Sequence, residues 1–284
     1  MRAWSAWGGI PRYWELAERF GADTDAAVDS LVLDPAGPLH LEPDRLLVEE
    51  MPSATAVRPL LDAVGGGAHR VSEIAGRLGT SATTLSRPLT RLQELGLLQR
   101  DKPFGEPEQG GKRSLYRIGD PFTSMWFRIV APHRAALATG GTATRSALWK
   151  RHAARLTSDA WEDLSRAALS RLSGSVPGGA GPWGPALRYW KGNGPEWDLV
   201  AASIEGDALL LGEAKWSERP FTEAMIAEAA RALLAKGTPR ERWAHGKRVV
   251  HALFVPRLAR LRRKPSVGSI AEVFTAEHVL AALR

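Results

Sequence analysis

Residues 196–216, EWDLVAASIEGDALLLGEAKW, decide the fold of the C-terminal part of the chain. Two apolar segments flank a short polar connection, which predicts a β-hairpin of two buried strands. Side chains two positions apart in a strand share a face, so Glu213 and Lys215 point the same way at the end of the second strand. Two interpretations are open: the charges mark where the strand enters solvent, or they are placed side by side for chemistry.

The connection IEGD determines which residues of the two strands face each other. A two-residue Glu205-Gly206 loop, with glycine in the second turn position, places Asp198 directly opposite Glu213. A Gly206-Asp207 loop places Asp198 opposite Lys215 instead. Both registers bring the three charged side chains to one face, whereas a three-residue loop without a bulge would move Asp198 to the other face.

The three charged residues have the chemistry of a metal-dependent phosphodiesterase. Asp198 and Glu213 at cross-strand distance repel each other unless a cation or a proton lies between them, and their oxygens suit a hydrated Mg²⁺ or Mn²⁺. The backbone carbonyl of Ala214 is a further candidate ligand. Such an ion activates water and neutralises a phosphodiester oxygen, while Lys215 orients the water or stabilises charge on phosphorus. The same spacing also occurs in surface salt bridges, so a structural interpretation stays open.

The composition of the 284-residue chain is that of a globular protein, with 44% hydrophobic and 24% charged residues and a net charge of +7. The positive charge favours a polyanionic partner, and nucleic acid is the first candidate. The absence of cysteine excludes disulfide partners and thiolate metal ligands, which suits a reducing cytoplasm. No apolar run approaches the length of a membrane span, so we expect a cytoplasmic protein without a membrane segment.

Changes of pattern along the chain predict a multidomain protein of the α+β or α/β class. The predicted parts are a helical N-terminus (1–52), a winged helix-turn-helix (53–120), a helical linker (121–154) and a mixed-sheet domain (155–284). Within the first part, one helix is expected over 12–34. The last part predicts a helix, three strands, a helix, two strands and a helix, hence a mixed sheet flanked by helices. The helix that leads into it, over 147–172, is expected to be interrupted or capped near Thr157 and Ser158.

The second part has the element order of a winged helix-turn-helix: three helices and then two short strands joined by a loop. Gly79 is expected to end the second helix, because glycine takes the left-handed conformation at helix C-termini. Ser81 or Thr83 is expected to cap the third helix, the recognition helix. Pro88 is tolerated only in the first turn of that helix, which moves its predicted start towards Ser86.

Basic residues concentrate on the predicted recognition helix and wing, where a winged helix contacts DNA phosphates and groove edges. They are Arg87, Arg91, Arg100, Lys102, Lys112, Arg113 and Arg117. A second basic run consists of Arg257, Arg260, Arg262, Arg263 and Lys264. The first group indicates either a DNA-binding surface or a basic face for protein contacts, and the second indicates an exposed loop or a segment that holds the nucleic-acid backbone.

The segments WEDLSR (161–166), EWDLVAAS and LLLGEAKW together resemble the core of the PD-(D/E)XK nuclease superfamily. The resemblance implies a restriction-endonuclease-like fold in which Asp198 and Glu213 bind Mg²⁺ or Mn²⁺ and Lys215 is the catalytic lysine. It also implies that Glu162 supports the metal site, either as a ligand or through another residue. The superfamily's proline before the aspartate is absent, because Trp197 stands at that position.

Further segments resemble the C-terminal half of archaeal-type, AAA-like ATPases. WGGIPRYWELA (7–17) is similar to the end of their helical lid, and RLQELGLLQRDKPFG (91–105) with RSLYRIGDPFTSMWFRIVAP (113–132) is similar to the winged helix that follows it. Together with the nuclease-like C-terminal part, the resemblance covers nearly the whole chain and includes the domain of unknown function 234. It implies that the N-terminal part is a remnant of the ATPase lid. GEPEQGGKRS (105–114) only approaches a Walker A motif and lies in the wing loop, so we expect no ATP hydrolysis. Two explanations stay open: the chain is a truncated member of the family, or it works with a separate ATPase encoded elsewhere.

These observations lead to one leading functional hypothesis and two alternatives. The leading hypothesis is a DNA-binding winged helix coupled to a Mg²⁺-dependent phosphodiesterase domain of the PD-(D/E)XK endonuclease type. The first alternative is a non-catalytic regulator that uses the same parts to bind nucleic acid or an ATPase. The second is a chain that folds or acts only together with its ATPase.

Overall fold

The computed structural model describes residues 1–50, 54–107, 113–172, 180–259 and 271–284. The chain divides into two compact units. The first comprises Met1–Asp101 and Ser114–Ala160, and the second comprises Lys102–Arg113 and Trp161–Arg284. The finer division into four parts stays a prediction. Among the described residues, no helix combines the length and the apolar character that crossing a bilayer requires.

The N-terminal part of the first unit is helical, as predicted, but consists of short elements. These are α1 (Arg2–Trp7), α2 (Pro11–Glu18), α3 (Thr24–Val28), a π-helical turn (Asp29–Leu33) and α4 (Glu42–Glu50). The single helix predicted over 12–34 is therefore wrong. Gly21 has a φ of 57°, and the Asp23 carboxylate accepts a hydrogen bond from the Ala26 N–H, so the chain turns after α2 and a newly capped helix begins.

The elements of the winged helix-turn-helix follow in the predicted order. They are α5 (Ala54–Gly65), α6 (Val71–Leu78), α7 (Ser86–Glu94), β1 (Leu98–Asp101) and β2 (Leu115–Ile118). Gly79 ends α6 in the left-handed conformation with a φ of 61°, as predicted. α7 begins at Ser86, so Pro88 lies in its first turn, where its missing N–H removes no helical hydrogen bond, and this prediction is also confirmed.

The side-chain cap predicted for α7 is wrong. Leu85 occupies the position before the helix and makes no side-chain hydrogen bond to it. Ser81 instead accepts a hydrogen bond from the Thr84 N–H at 3.3 Å, within the turn that precedes the helix. The residue types that favour caps therefore stabilise the turn between α6 and α7, while α7 begins one turn later.

Four further helical elements belong to this part of the chain. They are α8 (Pro121–Ile129), a 3₁₀ turn (Ala131–His133), α9 (Arg134–Thr139) and α10 (Thr142–Leu169). The apolar side chains of α8, among them Phe122 and Trp126, share the core of the first unit with Leu61 of α5. The interruption or cap predicted near Thr157 and Ser158 is wrong, because α10 continues through both residues to Leu169 and the Thr157 hydroxyl donates to the Ala153 carbonyl at 2.8 Å.

The second unit contains a five-stranded mixed sheet, as predicted. Its elements are β3 (Leu187–Tyr189), β4 (Trp197–Ala202), β5 (Ala208–Ala214), α11 (Glu223–Ala235), a 3₁₀ turn (Arg242–Ala244), β6 (Arg248–Phe254), β7 (Glu272–Phe274) and α12 (Ala276–Ala282). The strands lie in the order β3-β4-β5-β6-β7. β3, β4 and β5 are antiparallel, whereas β6 and β7 continue the sheet in parallel from β5.

The central strand β5 is buried along its whole length. Its Leu209 and Leu211 share a hydrophobic cluster with Ile226 and Leu233 of α11. A strand with neighbours on both edges and a helix against one face retains little exposed surface, which explains its continuous apolar run. Glu213 follows Leu211 on the same face, so its charge lies at the end of this cluster.

Candidate functional site

The hairpin between β4 and β5 has the first of the two predicted registers. Leu199 pairs with Gly212 in the antiparallel ladder, so the next position sets Asp198 opposite Glu213. The two carboxylates therefore project from one face of the sheet, and Lys215 follows on the same face. Asp198 and Lys215 are half-buried, whereas Glu213 is buried.

The turn of this hairpin differs from the predicted two-residue loop. The Ser203 N–H donates to the Ala208 carbonyl at 3.0 Å, so residues 204–207 form the connection. Gly206, with a φ of 78°, donates its N–H to the Ser203 carbonyl at 2.9 Å, and the Ser203 hydroxyl donates to the Asp207 carboxylate at 2.7 Å. The register is the same as with the two-residue loop, because only residues 204 and 207 are left unpaired with each other and Ser203 still lies opposite Ala208.

Glu213 is a buried carboxylate whose two oxygens are each bound by a lysine. Lys215 Nζ donates to Oε2 at 2.6 Å, and Lys236 Nζ donates to Oε1. The Glu213 side chain is 4% exposed, compared with 44% for Lys215 and 27% for Lys236. A carboxylate removed from water is stabilised only when its oxygens have charged or polar partners, and the two ammonium groups are those partners here.

Lys236 is a member of this site that the sequence pattern does not single out. It follows the last residue of α11, where a lysine next to a glycine is an ordinary helix ending. Its ammonium group also donates to the Glu196 carbonyl at 2.6 Å and lies 5.9 Å from the centre of the Trp197 ring. The packing of α11 on the sheet brings this helix end to Glu213.

Asp198 is held by backbone and side-chain contacts from two elements. Its Oδ2 accepts a hydrogen bond from the Ala214 N–H at 3.1 Å, and its backbone carbonyl accepts one from Arg166 of α10 at 3.0 Å. The Arg166 guanidinium also binds Asp163 and lies 3.8 Å from the Glu162 carboxylate. Through Arg166, α10 therefore connects the acidic residues of its own last turns to the strand that carries Asp198.

Lys215 is the cation around which the predicted acidic residues gather. Partial burial by itself lowers the pKa of the Lys215 amine. The hydrogen bond and charge of Glu213 act in the opposite direction, assisted by Asp198 and Glu162, and the resulting pKa lies above its ordinary value of 10.5. Lys215 is therefore protonated at neutral pH and donates hydrogen bonds instead of accepting a proton.

The structure brings Asp198, Glu213 and Lys215 together and places Ala214 between the last two. Glu162 acts on this group through its charge. Within the described residues, no set of three or more His, Cys, Asp or Glu side chains is arranged to hold a metal ion. Of the predicted acidic residues, Glu213 contacts Lys215 directly, whereas Asp198 and Glu162 act on it through their charges.

The predicted recognition helix, α7, has one apolar and one polar face. Leu89 and Leu92 are buried, whereas Arg87 and Arg91 are exposed, and Arg91 lies 3.5 Å from Glu94. Residues four apart share a face of a helix, so the two arginines lie next to each other. An exposed basic face of this kind is what a recognition helix presents to the major groove.

The remaining cations predicted to bind DNA have partners within the protein or lie outside the described residues. Arg100 donates to Ser114 at 2.8 Å, Arg117 to Asp101 at 2.9 Å, Lys102 to the Pro107 carbonyl at 3.4 Å and Arg113 to Glu106. In the second basic run, Arg257 donates to the Glu218 carbonyl at 2.8 Å. Outside the described residues lie Lys112, Arg260, Arg262, Arg263 and Lys264. Arg87 and Arg91 are exposed, whereas Arg100, Lys102, Arg113 and Arg117 are half-buried, so the two arginines of α7 are the best placed of the described set for phosphate.

Two protein families match separate parts of the chain. The IclR helix-turn-helix domain matches residues 60–102, which contain α6, α7 and β1. A helix-turn-helix points to DNA binding, in agreement with the exposed arginines of α7. DUF234, described as archaea bacterial proteins of unknown function, matches residues 126–228. That range includes the predicted site from Glu162 to Lys215 and ends before Lys236.

One curated relative is the uncharacterized protein MJECL04 of Methanocaldococcus jannaschii, which is 30% identical over 102 residues. The match covers 36% of this chain and 23% of that protein, so the chain spans less than a quarter of the length of the relative that it matches. No solved structure matches. The chain therefore carries a helix-turn-helix of the IclR type and, C-terminal to it, a DUF234 region, which is the architecture of a winged helix followed by a domain of unknown function.

Proposed function

We propose that this protein binds DNA through its helix-turn-helix and that its second unit is a metal-dependent phosphodiesterase of the PD-(D/E)XK type. The observation that carries the proposal is the buried Glu213 carboxylate, bound by Lys215 at 2.6 Å and set opposite Asp198 at the end of β5. Two carboxylates and an ammonium group on one face of a sheet can bind a cation and stabilise charge on a phosphate, which phosphodiester hydrolysis requires.

A purely structural role explains Glu213 less well than a functional one. Removing a carboxylate from water costs several kcal/mol, and an apolar residue of similar size would extend the run of leucines in β5 without that cost. Charged groups held at the edge of a core occur preferentially at functional sites. Asp198 and Lys215 are only half-buried, so solvent reaches this end of the strand.

The donor chemistry of the site fits a small, hard divalent cation. Asp198 and Glu213 would supply carboxylate oxygens, and the Ala214 carbonyl is a third candidate ligand. Mg²⁺ keeps several of its water molecules and needs few protein ligands, and Mn²⁺ prefers the same oxygen donors. When bound, such a cation activates water and neutralises charge on the phosphodiester. Glu162 would support the site by its charge and through Arg166.

Lys215 would act as a hydrogen-bond donor in the reaction. Its raised pKa keeps the ammonium group protonated, so it cannot remove a proton from water at neutral pH. It lies next to Glu213 and on the same face as Asp198, where it would stabilise the negative charge that develops on the phosphoryl oxygens.

A second candidate function, a non-catalytic regulator, has an observation of its own. Lys236 binds the Glu213 oxygen that Lys215 leaves available, so both carboxylate oxygens are already neutralised by the protein. A regulator would keep this arrangement for stability and use the second unit to bind nucleic acid or a separate AAA-like ATPase.

DNA cleavage by the purified full chain distinguishes the two candidates. Supercoiled plasmid and single-stranded DNA are incubated with Mg²⁺ or Mn²⁺ and with the wild type, Asp198→Ala, Lys215→Ala or Lys191→Ala. The last is the control, because Lys191 is exposed and its ion-pair partner is Glu241 instead of a residue of the site. We expect cleavage by the wild type and the control, and none by the two site variants.

Two other results would contradict the catalytic proposal. If both Asp198→Ala and Lys215→Ala still cleave DNA, these residues do not form the catalytic site. A salt-dependent gel shift by the wild type, without cleavage in either metal, would support the regulator.

A further inference from the structure

We infer that Lys236 is an internal counter-cation that occupies the carboxylate oxygen of Glu213 needed by a divalent metal ion, and that it thereby sets the metal affinity of the site. The inference rests on the proposed function, since it concerns the same carboxylates. Three contacts of Nζ carry it: Glu213 Oε1, the Glu196 carbonyl at 2.6 Å and the Trp197 ring, whose centre is 5.9 Å away.

Both oxygens of the Glu213 carboxylate already have an ammonium partner. Lys215 holds Oε2, and Lys236 holds Oε1. A divalent cation that binds this carboxylate must displace one ammonium group or share an oxygen with it, and positive charges at contact distance repel each other. The measured metal affinity is therefore lower than the affinity of a Glu213 carboxylate without the lysine contact, by the free energy needed to break that contact.

Lys236 is the ammonium group that can move away from the carboxylate. It belongs to a helix end, and the Glu196 carbonyl and the Trp197 ring are acceptors that retain it nearby after it releases Glu213. Lys215, by contrast, follows Glu213 in the same segment of chain and is also attracted by Asp198 and Glu162. Lys215 would thus stay at the site when a metal ion binds, and the metal ion would displace Lys236 from Glu213.

Mn²⁺ binding to the full chain tests this role without measuring catalysis. Free Mn²⁺ is followed by its electron paramagnetic resonance signal in titrations of the wild type, Lys236→Met, Lys236→Arg and Lys191→Met. Methionine keeps the length and the apolar stem of the side chain and removes the charge. We expect Lys236→Met to bind Mn²⁺ about tenfold more tightly or better, because one hydrogen bond to a charged group corresponds to a factor of that size.

The other two variants are controls for this expectation. Lys236→Arg keeps the positive charge, so it is expected to bind Mn²⁺ no more tightly than the wild type. Lys191→Met removes a lysine that pairs with Glu241 and is expected to leave Mn²⁺ binding unchanged. The rise in unfolding temperature on adding Mn²⁺, expected to be larger for Lys236→Met than for the wild type, is an independent measurement of the same difference.

Weaker or unchanged Mn²⁺ binding by Lys236→Met overturns the inference, because a lysine that only positions Glu213 would lower the affinity when removed. If the methionine variant does not fold, Lys236→Gln is measured with the same expectation. If Lys236→Met binds Mn²⁺ more tightly and none of the proteins cleaves DNA, the inference about Lys236 is supported and the phosphodiesterase proposal is wrong. If the wild type cleaves DNA and Lys236→Met binds Mn²⁺ as the wild type does, the phosphodiesterase proposal is supported and the inference about Lys236 is wrong. If none of the proteins binds Mn²⁺, both the inference and the phosphodiesterase proposal are wrong.

Discussion

Replacing Lys236 by methionine should destabilise the second unit when no divalent metal is present. The substitution leaves Glu213 Oε1, in a side chain that is 4% exposed, without its ammonium partner, and it removes the hydrogen bond to the Glu196 carbonyl. A hydrogen bond to a charged group contributes about 1.5–3 kcal/mol. Since Lys236 is partly exposed and water replaces some of its contacts, we expect the free energy of unfolding to fall by about 2 kcal/mol.

The same reasoning predicts a smaller effect for Lys215 and a cooperative effect for the pair. Lys215 is 44% exposed, so water replaces more of its contact and Lys215→Met should cost about 1 kcal/mol. In either single variant, the remaining lysine still binds Glu213. In the double variant the buried carboxylate has neither ammonium partner, and the loss should be about 3–5 kcal/mol, at or above the sum of the single losses.

Urea unfolding in the presence of a metal chelator, followed by tryptophan fluorescence and circular dichroism, measures these differences. Lys191→Met is the matched control, because Lys191 is 59% exposed and its ion pair with Glu241 at 2.6 Å should contribute less than about 1 kcal/mol. If Lys236→Met loses no more stability than Lys191→Met, the contact between Lys236 and Glu213 contributes nothing and our account of the buried carboxylate is refuted.

Four further predictions concern the first unit. Arg87→Ala should reduce the slope of log K against log salt for DNA binding by about 0.9, whereas Arg117→Ala, whose guanidinium is bonded within the wing, should leave it nearly unchanged. Fluorescence anisotropy with labelled DNA measures both slopes, and equal reductions would contradict the assignment of α7 as the phosphate-contacting helix. Gly79→Ala should lower the free energy of unfolding by about 1 kcal/mol, because φ is positive there although no atom lies within 4 Å of the added Cβ. Gly76→Ala, equally unobstructed inside α6, should instead stabilise the unit by about 1 kcal/mol in the same urea experiment. Glu73 has a pKa below its ordinary value of 4.5, because its carboxylate accepts backbone N–H groups at the start of α6. Its contribution is therefore present above that value and is lost as the pH falls through the folded-state pKa. Glu73→Gln should flatten the decline of the urea midpoint below pH 4.5, and an unchanged decline would contradict this.

The sequence alone determined the features that depend on a few neighbouring residues. The alternation in β5 places Glu213 and Lys215 on one face, because the period of a strand is two wherever it packs. Gly79 ends α6 because the left-handed conformation needed there is accessible to glycine without strain. Pro88 favours a start of α7 near Ser86, because a proline in the first turn removes no helical hydrogen bond, whereas one further inside removes one.

The register of the hairpin could be narrowed from the sequence but not decided. The turn residues allowed two pairings, and the adopted one places Asp198 opposite Glu213 through a loop longer than the predicted turn. Either pairing keeps the hydrophobic side chains on the same faces, so the alternation cannot choose between them. The choice depends on the local bonds of the loop, including the one from Ser203 to Asp207.

Contacts between residues distant in the sequence were decided only by the tertiary structure. Lys236 meets Glu213 because the apolar face of α11 packs on β5 and brings the end of the helix to this carboxylate. Arg117 is a basic residue in the predicted wing, where a DNA contact is expected, but pairing of β1 with β2 brings its guanidinium to Asp101. Local rules specify which way a side chain points, whereas the partner that it meets depends on how whole elements pack. The sequence thus determined that Glu213 and Lys215 share a face, and the tertiary structure added Lys236 as a second cation on Glu213.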